Sequence, residues 1–300
     1  LNLTRRHFLA TAAAALAVRT GFAEPLGLPA GIQLYAVRDE LTKDTPATLK
    51  ALHDIGFREV EYFSSGKYSV ADYHKLIADA GLTCPSAHLP FTGATDLEPI
   101  FASANTLGAH FAVSSVFVNL FPKGRPTQAA DQMDSMPALG LDTFKKLAAH
   151  MNDVGRKAKA AGLQYAYHNH NFEFEKMPDG SYGYDVLLNE TDHDLVKFEI
   201  DCGWMTVAGA SPQSYFKRHP GRFRMLHVKD FRPIKPTIDL VGPGRPTGVE
   251  LGHGFIDYKS IFAAAKTAGI VHIFAEQEAP YQRGQLESAK VSYDFLHSFS

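Results

Sequence analysis

A short apolar run, a polar loop and an amphipathic stretch closed near a glycine recur along this 300-residue chain, and that alternation limits its fold more than any other feature. Residues 31–36 (GIQLYA) read as a strand. Thr45 and Pro46 then supply an N-cap and a first-turn proline, Leu49, Leu52, His53 and Ile55 mark the buried side of a helix, and Gly56 stops it. Further strand-like runs fall at 57–63, 83–88, 110–116, 163–168, 195–201, 223–228 and 271–276, with helical stretches at 70–80, 98–107, 141–161, 184–189, 212–218 and 258–268. Eight strands alternating with helices in one domain predict an α/β chain whose residues 24–300 form a parallel (β/α)8 barrel. The competing architecture is an open doubly wound sheet. Its main signal, a Gly-x-Gly-x-x-Gly turn after the first strand, is missing.

Polar residues are placed as a barrel requires. His88, His168, Asp201, His227 and Glu276 each end an apolar run, and barrels gather their chemistry at the carboxyl ends of several strands. In YAYHNHNFEF, VKFEIDCGW, FRMLHVKDF and HIFAEQEAP, the residues His168, Asp201, His227 and Glu276 read as one divalent-metal site. Two imidazoles with two carboxylates suit Mn, Fe, Co or Zn, whereas an all-oxygen set suits Mg or Ca. The chain is therefore expected to be a metalloenzyme. His168 and His170 share one strand face, so either can bind the ion while the other acts as a base, and the sequence leaves that assignment open.

Charge and cysteine content narrow the partners. With 30 Lys+Arg against 32 Asp+Glu and no long run of one sign, nucleic acid is not expected. Cys84 and Cys202 lie in apolar runs and are expected as buried free thiols. Residues 1–23 read as a twin-arginine-type signal peptide: Arg5-Arg6 precede His7-Phe8-Leu9, an Ala/Leu-rich run and a small-x-Ala context at Gly21-Phe22-Ala23. The apolar run 8–18 is too short for the ~30 Å of a bilayer core. Cleavage near Glu24, a periplasmic or secreted destination and no stable membrane anchor are the expectations. The long irregular stretch 117–140 is expected to act as a lid or as a subunit contact of a homo-oligomer.

The phrases GIQLYAVRDEL, YHNHNFEF, FEIDCGW, RMLHVKDF and ELGHGFIDY resemble those of the sugar phosphate isomerase/epimerase family, the xylose isomerase-like TIM barrels, over nearly all of residues 24–300. The resemblance implies a divalent metal held by strands five to eight, typically by Glu, Asp, His and Glu. Asp201, His227 and Glu276 match the last three of these. His168 stands where the family usually places a glutamate that serves both as ligand and as one of two proton-transfer bases. A metal-bound imidazole has no lone pair left for that second task, so a symmetrical two-base epimerisation would lack one of its bases. Glu173 or Glu175 could reach back to supply the missing carboxylate, or His170 could be the base.

Chemistry follows from the metal. An ion chelated by adjacent hydroxyl and carbonyl oxygens of a sugar acidifies the neighbouring C–H and stabilises the enediolate. Glu276 or His170 would take the proton, Lys229 would neutralise an oxyanion or bind an anionic group, and His88 would donate to a substrate hydroxyl. Glu199, two residues before Asp201, is expected deeper in the barrel, orienting a ligand. Glu173, Trp204 and His253, the last in the Glu250–Gly254 turn at the barrel mouth, are the expected substrate contacts. A blander reading makes Lys229 and Asp230 a surface pair and Trp204 a packing residue. Three functions compete: an isomerase or epimerase of a non-phosphorylated ketose, aldose or cyclitol; a metal-dependent lyase or hydrolase of a keto-glycoside; and a non-catalytic sugar-binding barrel. Isomerase/epimerase is placed first, because it is the family's usual activity.

Overall fold

The computed structural model describes residues 25–63, 66–91, 96–115, 140–240 and 242–299, so the expected signal segment and the 117–139 part of the loop lie outside the described residues. Strands β1 (Ala30–Gln33), β2 (Glu59–Tyr62), β3 (Thr83–His88), β4 (Phe111–Ser114), β5 (Gln164–His168), β6 (Val196–Asp201) and β7 (Phe223–Val228) pair in parallel with their neighbours. A two-stranded antiparallel hairpin, β8 (Asp230–Phe231) and β9 (Gly248–Val249), rises from the end of β7. Strand β10 (His272–Ala275) pairs with β7 and β1 and closes the barrel in the order β1-β10-β7-β6-β5-β4-β3-β2. The expected (β/α)8 barrel is the observed fold. Closure pairs every barrel strand on both sides, which removes the sheet edge.

Helices α1 (Arg38–Lys43), α2 (Thr45–Ile55), α3 (Val70–Asp79), α4 (Glu98–Leu107), α5 (Leu141–Ala160), α6 (Gly183–Glu190), α7 (Cys202–Val207), α8 (Pro212–Arg218), α9 (Tyr258–Ala265) and α10 (Gln285–His297) surround the sheet. Their boundaries follow local chemistry. In α2 the cap is Asp44, whose carboxylate accepts from Ala47 N, and not Thr45, whose hydroxyl donates to Leu41 O. Along α5, Phe144, Leu147, Ala148, Met151, Val154 and Ala158 recur at three- and four-residue spacing and are all buried. Each large apolar side chain so buried contributes about 1.5–3 kcal/mol. The first strand is shorter than the expected 31–36 because Gln33 Oε1 accepts from Tyr35 N and starts a 3-10 turn over Leu34–Val37. Helices α1, α7 and α10 were not expected from the sequence. Of these, α7 is nucleated by a side chain of the candidate site, described below.

Two apolar layers form the core. The larger fills the space between helices and sheet; the smaller, Phe111, Val113, Ala166, Met225 and Phe274, plugs the barrel interior. Gly31 makes room for the plug, since a Cβ there would lie 2.6 Å from the Phe274 ring. Side chains two apart on a strand share a face. One step from the plug toward the carboxyl ends therefore leads from Ala166 to His168, from Met225 to His227 and from Phe274 to Glu276. Cys84 and Cys202 are buried free thiols, as expected.

Candidate metal centre

Asp201 ends β6 and begins α7. Its Oδ1 accepts from Trp204 N at 2.7 Å, the N-cap bond that starts the helix. That bond commits one carboxylate oxygen to the backbone and turns the other, Oδ2, inward, where it is buried without a hydrogen-bond partner. Oδ2 lies 3.9 Å from His168 Nε2 and 3.5 Å from Lys229 Nζ. Glu276, one residue past β10, places Oε2 2.9 Å from His227 Nδ1 and 2.9 Å from Lys229 Nζ. One ligand atom from each of His168, Asp201, His227 and Glu276 lies within 4.8 Å of the others. The structure thus brings together all four residues singled out as ligands. A buried carboxylate oxygen with no hydrogen bond, beside two imidazoles and a second carboxylate, fits a divalent cation.

A second group lies deeper. His88, His168, Glu199 and His227 also bring ligand atoms within 4.8 Å. Here the atoms are already paired: Glu199 Oε2 is 2.8 Å from His88 Nε2 and 3.0 Å from His168 Nδ1, while Glu61 Oε2 is 2.6 Å from His227 Nε2 and 3.2 Å from His88 Nε2. Glu199 sits beneath the candidate ligands, its Oε2 3.0 Å from His168 Nδ1 and 3.2 Å from His227 Nε2. In this layer, the floor of the site, Glu199 Oε1 is also buried without a hydrogen bond, but both inward imidazole nitrogens, His168 Nδ1 and His227 Nε2, are engaged by carboxylates. The shallower group, with Asp201 Oδ2 and with Glu276 on the cavity wall, is the candidate cation site.

Electrostatics follow from burial and from Lys229. Burial pushes the Asp201 carboxyl up to about 6, although Lys229 and His227 oppose it. Burial acts on Glu276 in the same sense but is outweighed by Lys229 and His227, so its carboxyl falls below the usual range. Lys229 itself loses proton affinity to burial and regains more from Glu276, Glu278 and Asp201. Burial, with the charges of His227 and His88 beside it, pulls His168 well below the usual imidazole value and leaves it neutral, the form that binds metal.

A cavity of about 210 Å³ opens over the site, lined by Gln33, Tyr35, Phe63, His88, Ser115, His168, His170, Glu276 and Glu278. His170 lies on its wall with Nδ1 unpartnered; burial and Lys229 bring it down to about 4. His88 is also on the wall. Burial lowers its proton affinity, yet Glu61 and Glu199 outweigh this and raise it to about 10.

Other expected contacts lie elsewhere. Glu173 is completely buried, accepting from Tyr167 Oη at 2.8 Å and from His170 N at 3.0 and 3.1 Å, so it braces the loop after β5 and does not face the cavity. Burial raises its carboxyl to about 8. Glu175, just past the same turn, is half-buried and outside the cavity lining. Trp204 is buried under Lys229, its ring 5.1 Å from Nζ, which leaves no open face for a sugar. His253 is exposed in a turn whose flanking Gly252 and Gly254 amides donate to Asp230. Lys229 and Asp230 are not a surface pair: both are buried and each has its own partners. Sequence reasoning missed Glu61, Gln33, Glu278 and Tyr35. The signal for Glu61 was the alternation in EVEY, and for Glu278 the two-residue step past Glu276.

A model of the xylose isomerase-like TIM barrel matches residues 49–298. Inosose dehydratase of Lacticaseibacillus casei is 28% identical over 176 residues, 54% of this chain and 57% of that enzyme, so the chain matches a little over half of its length. A sugar phosphate isomerase/epimerase of Parabacteroides distasonis ATCC 8503 superposes with a TM-score of 0.71 at 24% identity, over 95% of this chain and 97% of that one. A zinc-binding IOLI protein superposes with a TM-score of 0.66 at 13% identity, over 91% and 99%. At these identities both superpositions speak for the fold.

Proposed function

Because the chain belongs to the xylose isomerase-like TIM barrel family, we propose that it is a divalent-metal-dependent carbohydrate enzyme acting on a non-phosphorylated keto sugar, keto-glycoside or keto-cyclitol. Its reaction is removal of the proton beside the carbonyl followed by β-elimination. The observation that carries the metal reading is Asp201 Oδ2, buried without a hydrogen bond beside His168, His227 and Glu276. A divalent ion held by these four residues would polarise the substrate carbonyl and acidify the adjacent C–H.

The chain's own residues divide the remaining work. Glu276, ionised and on the cavity wall, takes the proton from carbon. As the C–H electrons move toward the carbonyl and the β C–O bond breaks, the departing oxygen needs a proton. His88 carries one at neutral pH and lines the same cavity. Lys229 does not touch the substrate; its three carboxylate contacts keep Glu276 and Asp201 ionised. Tyr35 and Phe63, packed edge to face at 4.9 Å, offer an apolar wall to a sugar ring.

Elimination is favoured over the isomerisation placed first from sequence because the β5 position carries an imidazole whose Nδ1 is bound by Glu199, so no second carboxylate base faces Glu276 from that strand. The likeness to a dehydratase points the same way. Isomerisation or epimerisation is the second reading, carried by His170, whose unpartnered Nδ1 and low proton affinity would suit a second base. Export through residues 1–23 is part of this proposal and favours non-phosphorylated substrates. The test is incubation of the metal-loaded protein in deuterated water with keto-glycosides, keto-cyclitols and free ketoses. Release of water or aglycone supports elimination, and deuterium wash-in without cleavage supports the second reading. Absence of both with metal bound would leave a sugar-binding barrel.

A further inference from the structure

A neutral imidazole has one protonated and one free nitrogen, and the hydrogen bond made by one decides which lone pair the other presents. In this barrel the nitrogens of His168 and His227 that point away from the candidate centre are taken by carboxylates. Glu199 Oε2 is 3.0 Å from His168 Nδ1, on the neighbouring strand, and Glu61 Oε2 is 2.6 Å from His227 Nε2, across the barrel and 166 residues away, closer than Glu199 Oε2, which is 3.2 Å from the same nitrogen. The opposite nitrogens face the centre: His168 Nε2 toward Asp201 and His227 Nδ1 toward Glu276.

Resting on the metal reading above, we infer that Glu61 is a positioning residue of the metal centre, holding His227 through its Nε2–H so that Nδ1, here bonded to Glu276, faces the ion and gives up its own proton on binding. Glu61 is built for one orientation. Ser86 Oγ donates to its Oε1 at 2.5 Å and Gln33 Nε2 donates to its Oε2 at 2.8 Å, so residues of β1 and β3 clamp a carboxylate of β2 that is itself completely buried. A buried, doubly clamped carboxylate costs a great deal to desolvate, and packing alone would be served better by an apolar side chain. Orientation of a ligating histidine through its remote nitrogen is a use that offsets this cost. Two ions, one per group, would require both nitrogens of His168 and of His227 to be stripped of protons. The close pairing of the deeper atoms argues for a single ion above a carboxylate floor.

The experiment titrates the purified chain with Co(II) and Zn(II) against a chromophoric chelator, recording the Co(II) visible spectrum, for the wild type, Glu61→Gln and Glu61→Leu. The wild type is expected to bind one equivalent. Glu61→Gln keeps an acceptor oxygen but loses the charge, and is expected to weaken binding about 10-fold; Glu61→Leu removes the acceptor and is expected to weaken it about 100-fold and change the Co(II) spectrum. Urea unfolding of each metal-free variant separates a fold defect from a site defect, and Glu61→Gln carries the test should Glu61→Leu not fold. No uptake by the wild type would sink the metal reading and this inference with it. Normal uptake by the wild type, with the same affinity and spectrum in both folded variants, would overturn this inference alone. Two equivalents in the wild type would overturn it too, because Glu61 would then belong to a second ion site.

Discussion

Lys229→Met is the perturbation that best tests the charge balance of the centre. The substitution roughly conserves volume and deletes an ammonium that lies 2.7 Å from Glu278, 2.9 Å from Glu276 and 3.5 Å from Asp201. Removing one partner of a buried ion pair costs about 3–5 kcal/mol, since the remaining charge is left uncompensated. Glu278 is the most exposed of the three carboxylates and keeps its bond to Arg245, which places the expected loss near the lower end, about 3 kcal/mol. At about 2–4 °C per kcal/mol, the melting temperature should fall by roughly 6–12 °C at neutral pH. Glu276 has a depressed folded value, so its bond to Lys229 contributes fully above its ordinary value of 4.5 and is lost as pH falls through the lower folded value. The gap between wild type and variant should therefore be complete at neutral pH and shrink as pH drops below 4.5. A saturating divalent ion should stabilise the variant more than the wild type, because it replaces the missing positive charge. Circular dichroism melts at two pH values, with and without Zn(II), measure all three effects. A shift under ~2 °C at neutral pH would refute the reasoning, because the three carboxylates would then not depend on this ammonium.

Alanine at Asp201 or at His227 should abolish metal retention by the purified protein, measured by elemental analysis, while Glu276→Gln should keep part of the metal and lose turnover. Full retention in the first two would remove the site. Glu173 has a folded value of about 8 against 4.5, so its protonated form is preferred by the fold; stability should be complete below 4.5 and decline as pH rises toward 8. Glu173→Gln should flatten that slope in urea titrations across the interval, and an unchanged slope would show that another group sets it. Gly203→Ala should destabilise by about 1–3 kcal/mol, because the added Cβ would meet Lys229 O at 2.6 Å where α7 crosses the end of β7; a melt within error of wild type would contradict this close approach.

Several parts of this protein were written locally. The alternation of apolar runs with capped amphipathic stretches is a short-range signal, since strand and helix periods are set by the backbone, and all eight barrel strands lie within or very near the expected runs. The four ligands were legible for the same reason: each is a polar residue at the end of a buried strand, and parallel strands wound with helices deliver such ends to one face of a barrel. His88 and Glu199 could be read the same way. Trp204, Glu173 and Lys229 could be recognised as near the site from their distance along the chain, but not by what they touch.

Those contacts were decided by closure. Period two says which face of a strand a residue occupies and nothing about which residue lies across the barrel; that depends on the stagger between strands and on where each loop returns. Glu61 meets His227 only because β2 and β7 face each other across a closed ring, Glu278 meets Lys229 only because β10 joins β7, and Trp204 is buried only because Asp201 caps α7 directly off β6. Element type and strand-end chemistry were thus properties of the sequence, whereas the hydrogen-bonded floor, the charge balance around Lys229 and the residues lining the cavity arose from long-range packing that no local pattern encodes.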